Sequence, residues 1–324
     1  MYTKEQLAEL VNRAISSLSY PDEAPQLFSP VSYVLSSGGK RLRPVMALMA
    51  CNLFTDRIDD AIMPVTGLEI FHNFTLVHDD IMDQAAVRRN APTVHKKWNT
   101  NQAILSGDAM VFLANNCFLD TPAALLAEVL RIYNKAAIDV CMGQQKDMDF
   151  EKVMVISEED YLKMIELKTA VLLAASCQIG ALAGGADMKN AGLLYEFGKN
   201  LGIAFQIQDD LLDLYGNERI FGKTSGGDIV SNKKTFLFVK AMELASSVQL
   251  KGLHELYAGN GAGPEEKIKR VKEIYDKLGI KEITKSIADD YINASFRFLD
   301  RVEVRKERRE ELARFAGSLT GREH

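Results

Sequence analysis

Apolar residues in this chain recur at intervals of three and four almost from end to end. No other feature of the sequence constrains the fold as much. Leu7, Leu10, Val11, Ala14, Ile15 and Leu18 form one such stripe, and others occupy 44–54, 61–83, 103–118, 123–145, 158–184, 190–215 and 233–248. That spacing lines up side chains on one face of a helix. Sustained period-two alternation is almost absent. The best strand segment, Val153 to Ile156, is too short to build a sheet alone. No strand–helix–strand rhythm signals a dinucleotide-binding sheet, and no internal repeat signals a solenoid. The expectation is an all-α fold of roughly ten or more helices, forming one domain over residues 1–324.

The punctuation agrees with short-looped helices. Pro44 suits a first helical turn. Ser157 followed by Glu158, Glu159 and Asp160 reads as an N-cap with acids in the first turn. Gly259 to Pro264 is the most linker-like stretch, but it is too short to mark a domain boundary.

Composition excludes several classes. Lys plus Arg number 39 against 44 for Asp plus Glu, a net charge of −5, which argues against a dedicated nucleic-acid binder. Cys51, Cys117, Cys141 and Cys177 show no CxxC spacing, so neither a cysteine-pair zinc site nor a disulfide framework is expected. The N-terminal MYTKEQLAEL lacks an apolar leader core. The longest uncharged run, Ala170 to Ala186, is slightly short for a membrane span and is interrupted by Ser176, Gln178 and glycines. It reads as a buried helix, with no stable membrane anchor and a cytoplasmic protein.

Chemistry is concentrated in two acidic triplets. Asp79, Asp80 and Asp83 stand at i, i+1 and i+4 within FHNFTLVHDDIMD; Asp209, Asp210 and Asp213 repeat that spacing within FQIQDDLLD. On a helix, i and i+4 share a face one turn apart. Carboxylates this close raise one another's pKa unless a cation neutralises them, and hard oxygen donors suit Mg²⁺. A solvated acidic face is the competing reading. The chain supplies a control, because Asp59-Asp60 and Asp289-Asp290 carry Met63 and Asn293 at i+4. Plain Asp pairs are background here; the full triplet, twice, on apolar helices, is not. Two such helices facing each other would surround one cavity with six carboxylates.

Cations accompany the acids. Gly38-Gly39-Lys40-Arg41-Leu42-Arg43-Pro44 is a glycine-led basic loop, Arg88-Arg89 follows the first triplet, Lys168-Thr169 lies in an apolar helix, and Lys223 follows the second triplet. Arg suits bidentate phosphate binding and Lys acts as a point charge. Together with the triplets they describe a diphosphate site. Gly222-Lys223-Thr224 is not a phosphate loop, since Asn217 stands where that motif needs glycine.

On these residues the chain resembles the trans-isoprenyl diphosphate synthases, or polyprenyl synthetases. The landmarks are GGKRLRP, HDDIMD, the RRN-x-PTVH run, the KT pair, FQIQDDLLD and the later GK with GGD, in the family's order. The resemblance implies an all-α bundle around a deep central cavity, usually a homodimer. It also implies Mg²⁺-dependent head-to-tail condensation of isopentenyl diphosphate with an allylic diphosphate. Three Mg²⁺ ions would be held by Asp79, Asp83 and Asp209, supported directly or through water by Asp80, Asp210 and Asp213. The allylic diphosphate would be gripped by Arg88, Lys168, Gln206 and Lys223, with Thr169 and Gln206 placing dipoles near the cation. Isopentenyl diphosphate would sit on Lys40, Arg43, His72 and Arg89. For His72 the competing reading is a satisfied core histidine.

Product length should follow from what blocks the cavity below Asp79. Phe74 and Thr75 lie five and four residues before it, with Phe71 one turn further. In the family a large residue at the position of Phe74 limits chain growth. The pattern looks most like a geranylgeranyl diphosphate producer, with farnesyl diphosphate synthase next. A terpene cyclase, a head-to-head prenyl coupler and a non-catalytic subunit of a heteromeric synthase are the remaining alternatives. The second triplet and the Gly-Lys-Arg loop fit a cyclase poorly, and the intact set of acids and cations fits a non-catalytic subunit poorly.

Overall fold

The computed structural model describes residues 1–216, 226–258 and 263–320. Lys223 and residues 259–262 of the linker-like stretch lie outside them. Among the described residues the fold is helical: α1 (Lys4–Ser16), α2 (Pro25–Ser36), α3 (Leu42–Asn52), α4 (Asp59–Met82), α5 (Val94–Lys97), α6 (Thr100–Phe118), α7 (Ala123–Glu151) and α8 (Glu158–Ile165). A π-helical turn, Glu166–Ala170, joins α8 to α9 (Val171–Ala183). Then follow α10 (Met188–Tyr215), α11 (Gly227–Val230), α12 (Phe236–Leu244), α13 (Ser247–Tyr257), α14 (Pro264–Leu278), α15 (Ile280–Asp300) and α16 (Lys306–Thr320).

Local signals explain the boundaries. Thr3 and Gln6 form a reciprocal capping box on α1. Ser157 caps α8 through its Oγ, which accepts from Asp160 N at 3.0 Å, above three acids in the first turn. Pro44 sits in the first turn of α3. Val153 to Ile156 forms no strand. The strands that do form are two residues each: Val87–Arg88 (β1) pairs antiparallel with Ala91–Pro92 (β2). Their turn residues, Arg89 and Asn90, have φ of 52° and 60°, the twist-matched geometry of a tight hairpin.

The chain divides into two compact units. The first comprises Met1–Asn134, Ala175–Tyr195 and Val302–Leu312. Its core is α3, buried from Pro44 through Asn52, together with the inner face of α4, which packs along α6. The second comprises Lys135–Ala174, Glu196–Arg301 and Ala313–His324. It holds two apolar clusters. One gathers Tyr161, Ile165, Ile203, Ile207 and Phe236; the other gathers Leu214, Phe238, Leu253, Val271 and Tyr275. Among the described residues one helical run, 158–183, is long and apolar enough to cross a membrane, and 78% of its most apolar window is buried in the protein. That burial matches the core-helix reading of Ala170 to Ala186.

Candidate active site

In the first unit the site grows from α4. Asp79 is half-buried and Asp83 exposed, whereas Asp80 is buried. The cause is helical geometry: about 100° per residue turns i+1 away from the face shared by i and i+4. Asp80 accepts from Arg88 Nε at 2.7 Å. Burial raises the Asp80 carboxyl above its ordinary range, and the Arg88 charge works against that shift.

The glycine-led loop supplies the cations. Arg41 adopts a left-handed conformation at the start of α3. Its buried guanidinium donates to Glu69 Oε1 at 2.8 Å, Leu35 O at 2.6 Å and Asn12 Oδ1 at 3.0 Å. Arg41 is thus a scaffold residue. Arg43 Nη1 donates to His72 Nε2 at 3.1 Å, and Arg43 Nε is buried with no hydrogen-bond partner. Burial pushes Arg43 down to about 10, with Glu69 opposing and Arg89 reinforcing. Burial, then Arg43, Arg89, Arg88 and Arg41, hold His72 well below its ordinary value. His72, half-buried, is therefore a neutral acceptor for Arg43.

Arg89 Nη1 donates to Gly38 O at 2.6 Å and Asn73 Oδ1 at 3.4 Å; Asn73 is tied to Glu69. Four guanidiniums thus gather around two buried carboxylates, Glu69 and Asp80, which suits an incoming anion. A shallow open cleft is lined by Asn73, Asp80, Arg88 and Arg89 with Tyr33 and Pro92. Lys40 is exposed in the loop before α3.

Below Asp79, Phe74 is half-buried, its ring centroid 5.4 Å from Phe71 and 4.7 Å from His78. Phe71 is buried edge-on against Tyr133 at 5.3 Å. Thr75 turns its hydroxyl onto its own helix, donating to His72 O at 2.7 Å.

In the second unit two glycines bring backbones together. A β-carbon on Gly143 of α7 would lie 2.2 Å from Lys168 N, and one on Gly202 of α10 would lie 2.7 Å from Ala170 Cα. The π turn is seated between these contacts. One helical turn beyond each glycine stands a polar partner. Asp147 accepts from Lys168 Nζ at 2.5 Å, and Gln206 Oε1 accepts from Thr169 Oγ1 at 3.1 Å. A π turn inside an α-helix shifts side-chain register, and here it presents Lys168 and Thr169 together.

Asp210 is buried and accepts from the Tyr161 hydroxyl, from Gln206 Nε2 at 3.1 Å and from Phe236 N at 2.9 Å. Burial pushes its carboxyl up to about 6, with Lys233 and the bonds from Phe236 and Tyr161 opposing. Asp209 is exposed and Asp213 half-buried. Asp213 Oδ2 accepts from Asp228 N at 3.0 Å. Lys233 Nζ lies 3.7 Å from Asp228. Burial works to lower that ammonium, but Asp228, Asp210, Asp147 and Asp209 together raise it.

The sequence-predicted residues thus fall into two groups. Asp83 and Asp209 are exposed and Asp79 is half-buried; each offers the hard oxygen donors a divalent cation takes, but among the described residues no three acidic, His or Cys side chains are gathered into a metal-holding group. Asp80 and Asp210 are directed inward onto protein donors. Sequence reading missed Asp147, Tyr161 and Lys233. The i+4 offset of Asp147 from Gly143 becomes a signal only once α7 is known to meet the π turn. Lys233 offered only a Lys-Lys-Thr run.

Acid-rich helix faces and clustered cations on an all-α scaffold define a class of enzyme that handles diphosphate esters. The polyprenyl synthetase family model matches residues 24–278. A geranylgeranyl diphosphate synthase of Sulfolobus acidocaldarius is 36% identical over 306 residues, 93% of this chain and 92% of that protein. A crystal structure of a geranylgeranyl pyrophosphate synthase superposes with a TM-score of 0.95 at 38% identity, covering 100% of both chains. A polyprenyl synthase from Caulobacter crescentus, complexed with calcium and isoprenyl diphosphate, gives a TM-score of 0.87 at 27% identity, covering 99% of this chain and 98% of that one. The chain belongs to the polyprenyl synthetase family and is a prenyltransferase. The all-α expectation is met by these relatives and by the helices themselves.

Proposed function

We propose that this prenyltransferase joins isopentenyl diphosphate head-to-tail to an allylic diphosphate, and that its product is geranylgeranyl diphosphate. The observation that carries the reading is the division within each triplet. The outer aspartates are the more exposed, while each inner one is locked to the cations or amides of its own unit. Asp79, Asp83 and Asp209 would hold three Mg²⁺ ions, with Asp80, Asp210 and Asp213 as direct or water-mediated supports. When bound, the ions supply positive charge against the departing diphosphate.

The chain's own groups do the rest. Lys168 and Lys233, with Lys223 and Arg88, balance diphosphate charge as the allylic C–O bond breaks. Thr169 and Gln206 aim fixed dipoles at the allylic cation, and Asp210 keeps the Gln206 amide in one orientation. Arg43, Arg89 and Lys40 seat isopentenyl diphosphate, and neutral His72 orients Arg43. The double bond of isopentenyl diphosphate attacks the cation, the new C–C bond forms, and the released diphosphate accepts the proton. Phe74, braced by Phe71 and His78, is the floor that stops growth.

We further read the chain as a single catalytic domain, since one family model runs across both units. We read it as a cytoplasmic homodimer. Leu105 and Phe112 of α6 and Leu119, which caps it, are 56%, 69% and 61% exposed at seven-residue spacing, an apolar stripe that a second copy would cover. Light scattering on Phe112→Glu tests the dimer, with a monomer expected.

The deciding experiment supplies isopentenyl diphosphate and Mg²⁺ with dimethylallyl, geranyl or farnesyl diphosphate and identifies products by mass spectrometry. A twenty-carbon diphosphate is expected, and EDTA should abolish it. Fifteen carbons, or more than twenty-five, would reject the Phe74 floor. No condensation with any primer would reject the synthase reading.

A further inference from the structure

Lys267 of α14 is buried, 7% exposed, beside the ring of Tyr257. Burying an ammonium there is costly unless its donors are used. They are: Nζ donates to Ile229 O at 2.5 Å and to Asn232 Oδ1 at 2.5 Å, and it lies 4.8 Å from the Tyr257 ring centroid. Both acceptors belong to one turn, built from α11 and Asn232, whose φ is 59°. The other side of that turn is tied to the second acidic triplet. Gly226 N donates to Asp213 O at 2.7 Å and Asp228 N donates to Asp213 Oδ2 at 3.0 Å. Lys233 N closes the turn onto Asp228 O at 2.9 Å.

We infer that Lys267 is a positioning residue for the diphosphate site: its ammonium rivets the 226–233 turn so that Asp228 and Lys233 stay registered on Asp213. The inference rests on the prenyl-transfer reading. It predicts a one-sided defect, because Arg43, His72 and Arg89, assigned to isopentenyl diphosphate, are held by a separate set of bonds.

Lys267→Met keeps the stem and removes the ammonium. Its KM for the allylic diphosphate should rise about tenfold, the scale of one charge-assisted hydrogen bond, while KM for isopentenyl diphosphate stays within about twofold. Backbone amides of 227–233 should exchange faster by mass spectrometry, and Lys267→Arg should restore most of both. Asn232→Gly tolerates the left-handed backbone and removes one acceptor; it should shift both readouts in the same direction by less. If Lys267→Met does not fold, this variant carries the test. Equal rises in both KM values, or unchanged exchange at 227–233, would overturn the role of Lys267. A wild-type protein without prenyl transfer would instead overturn the functional reading, and the exchange measurement would still decide whether Lys267 holds the turn.

Discussion

A methyl group added at Gly143 should disable this enzyme without unfolding it. The added carbon would lie 2.2 Å from Lys168 N, 2.6 Å from Lys168 Cα and 2.7 Å from Leu167 C. Ordinary contact needs about 3.5 Å, so α7 and the π turn must part by about 1.3 Å. Every opposing atom is backbone, so no side-chain rotation relieves the clash. The displacement falls on the segment that presents Lys168 to Asp147 and Thr169 to Gln206. Moving a reacting constellation by about 1 Å costs on the order of 10²-fold in rate. Overpacking costs about 1–3 kcal/mol, partly offset by roughly 1 kcal/mol of better helix propensity. Gly143→Ala should therefore lose about 100-fold in single-turnover rate with prebound allylic diphosphate, while urea unfolding loses no more than about 2 kcal/mol. Gly202→Ala, whose carbon would lie 2.7 Å from Ala170 Cα, needs a shift of about 0.8 Å and should lose about tenfold. Gly192, with nothing within 4 Å, is the control: Gly192→Ala should keep full activity and gain up to about 1 kcal/mol. A folded Gly143→Ala within about threefold of the wild-type rate would refute the claim that this contact seats the catalytic turn.

Phe74→Ala should lengthen the product by at least one isoprene unit, read by mass spectrometry; an unchanged product would remove Phe74 as the floor. Arg41→Met leaves the buried Glu69 without its ion pair and should cost about 3–5 kcal/mol in urea unfolding. The double variant Arg41→Met/Glu69→Leu should recover part of that, and strict additivity would show that the pair is not coupled. Burial pushes Cys51 up to about 12, Cys117 to about 11 and Cys177 to about 12, while Cys141 is exposed. A disulfide probe at pH 8 should label one thiol per folded chain and four after unfolding; rapid labelling of a second would contradict the buried positions.

The helices were legible because burial repeats with the helical period, and caps such as Ser157 announced themselves locally. The hairpin was not. Its turn is Arg89-Asn90, without the glycine that usually signals positive φ, and its strands are too short to show alternation. Both triplets were legible as acidic motifs, because i, i+1, i+4 is a local pattern. The partners that define them were less so. Tyr161 lies 49 residues from Asp210 and Lys168 lies 21 from Asp147, and such pairings depend on which helices meet. The π turn was invisible, since Glu166–Ala170 has ordinary helix-forming composition. Arg41 looked like one more phosphate-binding cation, and only its burial against Glu69 separates it from Arg43.

The two triplets also explain why the motif has three acids and not two. On a helix, i and i+4 differ by about 40° in direction, and i+1 stands about 100° from the first. An outer pair can therefore share the open face while the middle carboxylate points inward. Asp80 anchors Arg88, whose neighbour Arg89 turns the hairpin toward Gly38 and Asn73. Asp210 anchors Gln206, Tyr161 and the first amide of α12. In each unit the middle acid thus fixes the groups flanking the outer pair, at the cost of its own burial. Two aspartates alone would stand on an unbraced surface. The third ties the acidic face to Arg88 in one unit and to the Gln206 amide in the other, so the carboxylates and the polar groups beside them are held in fixed register.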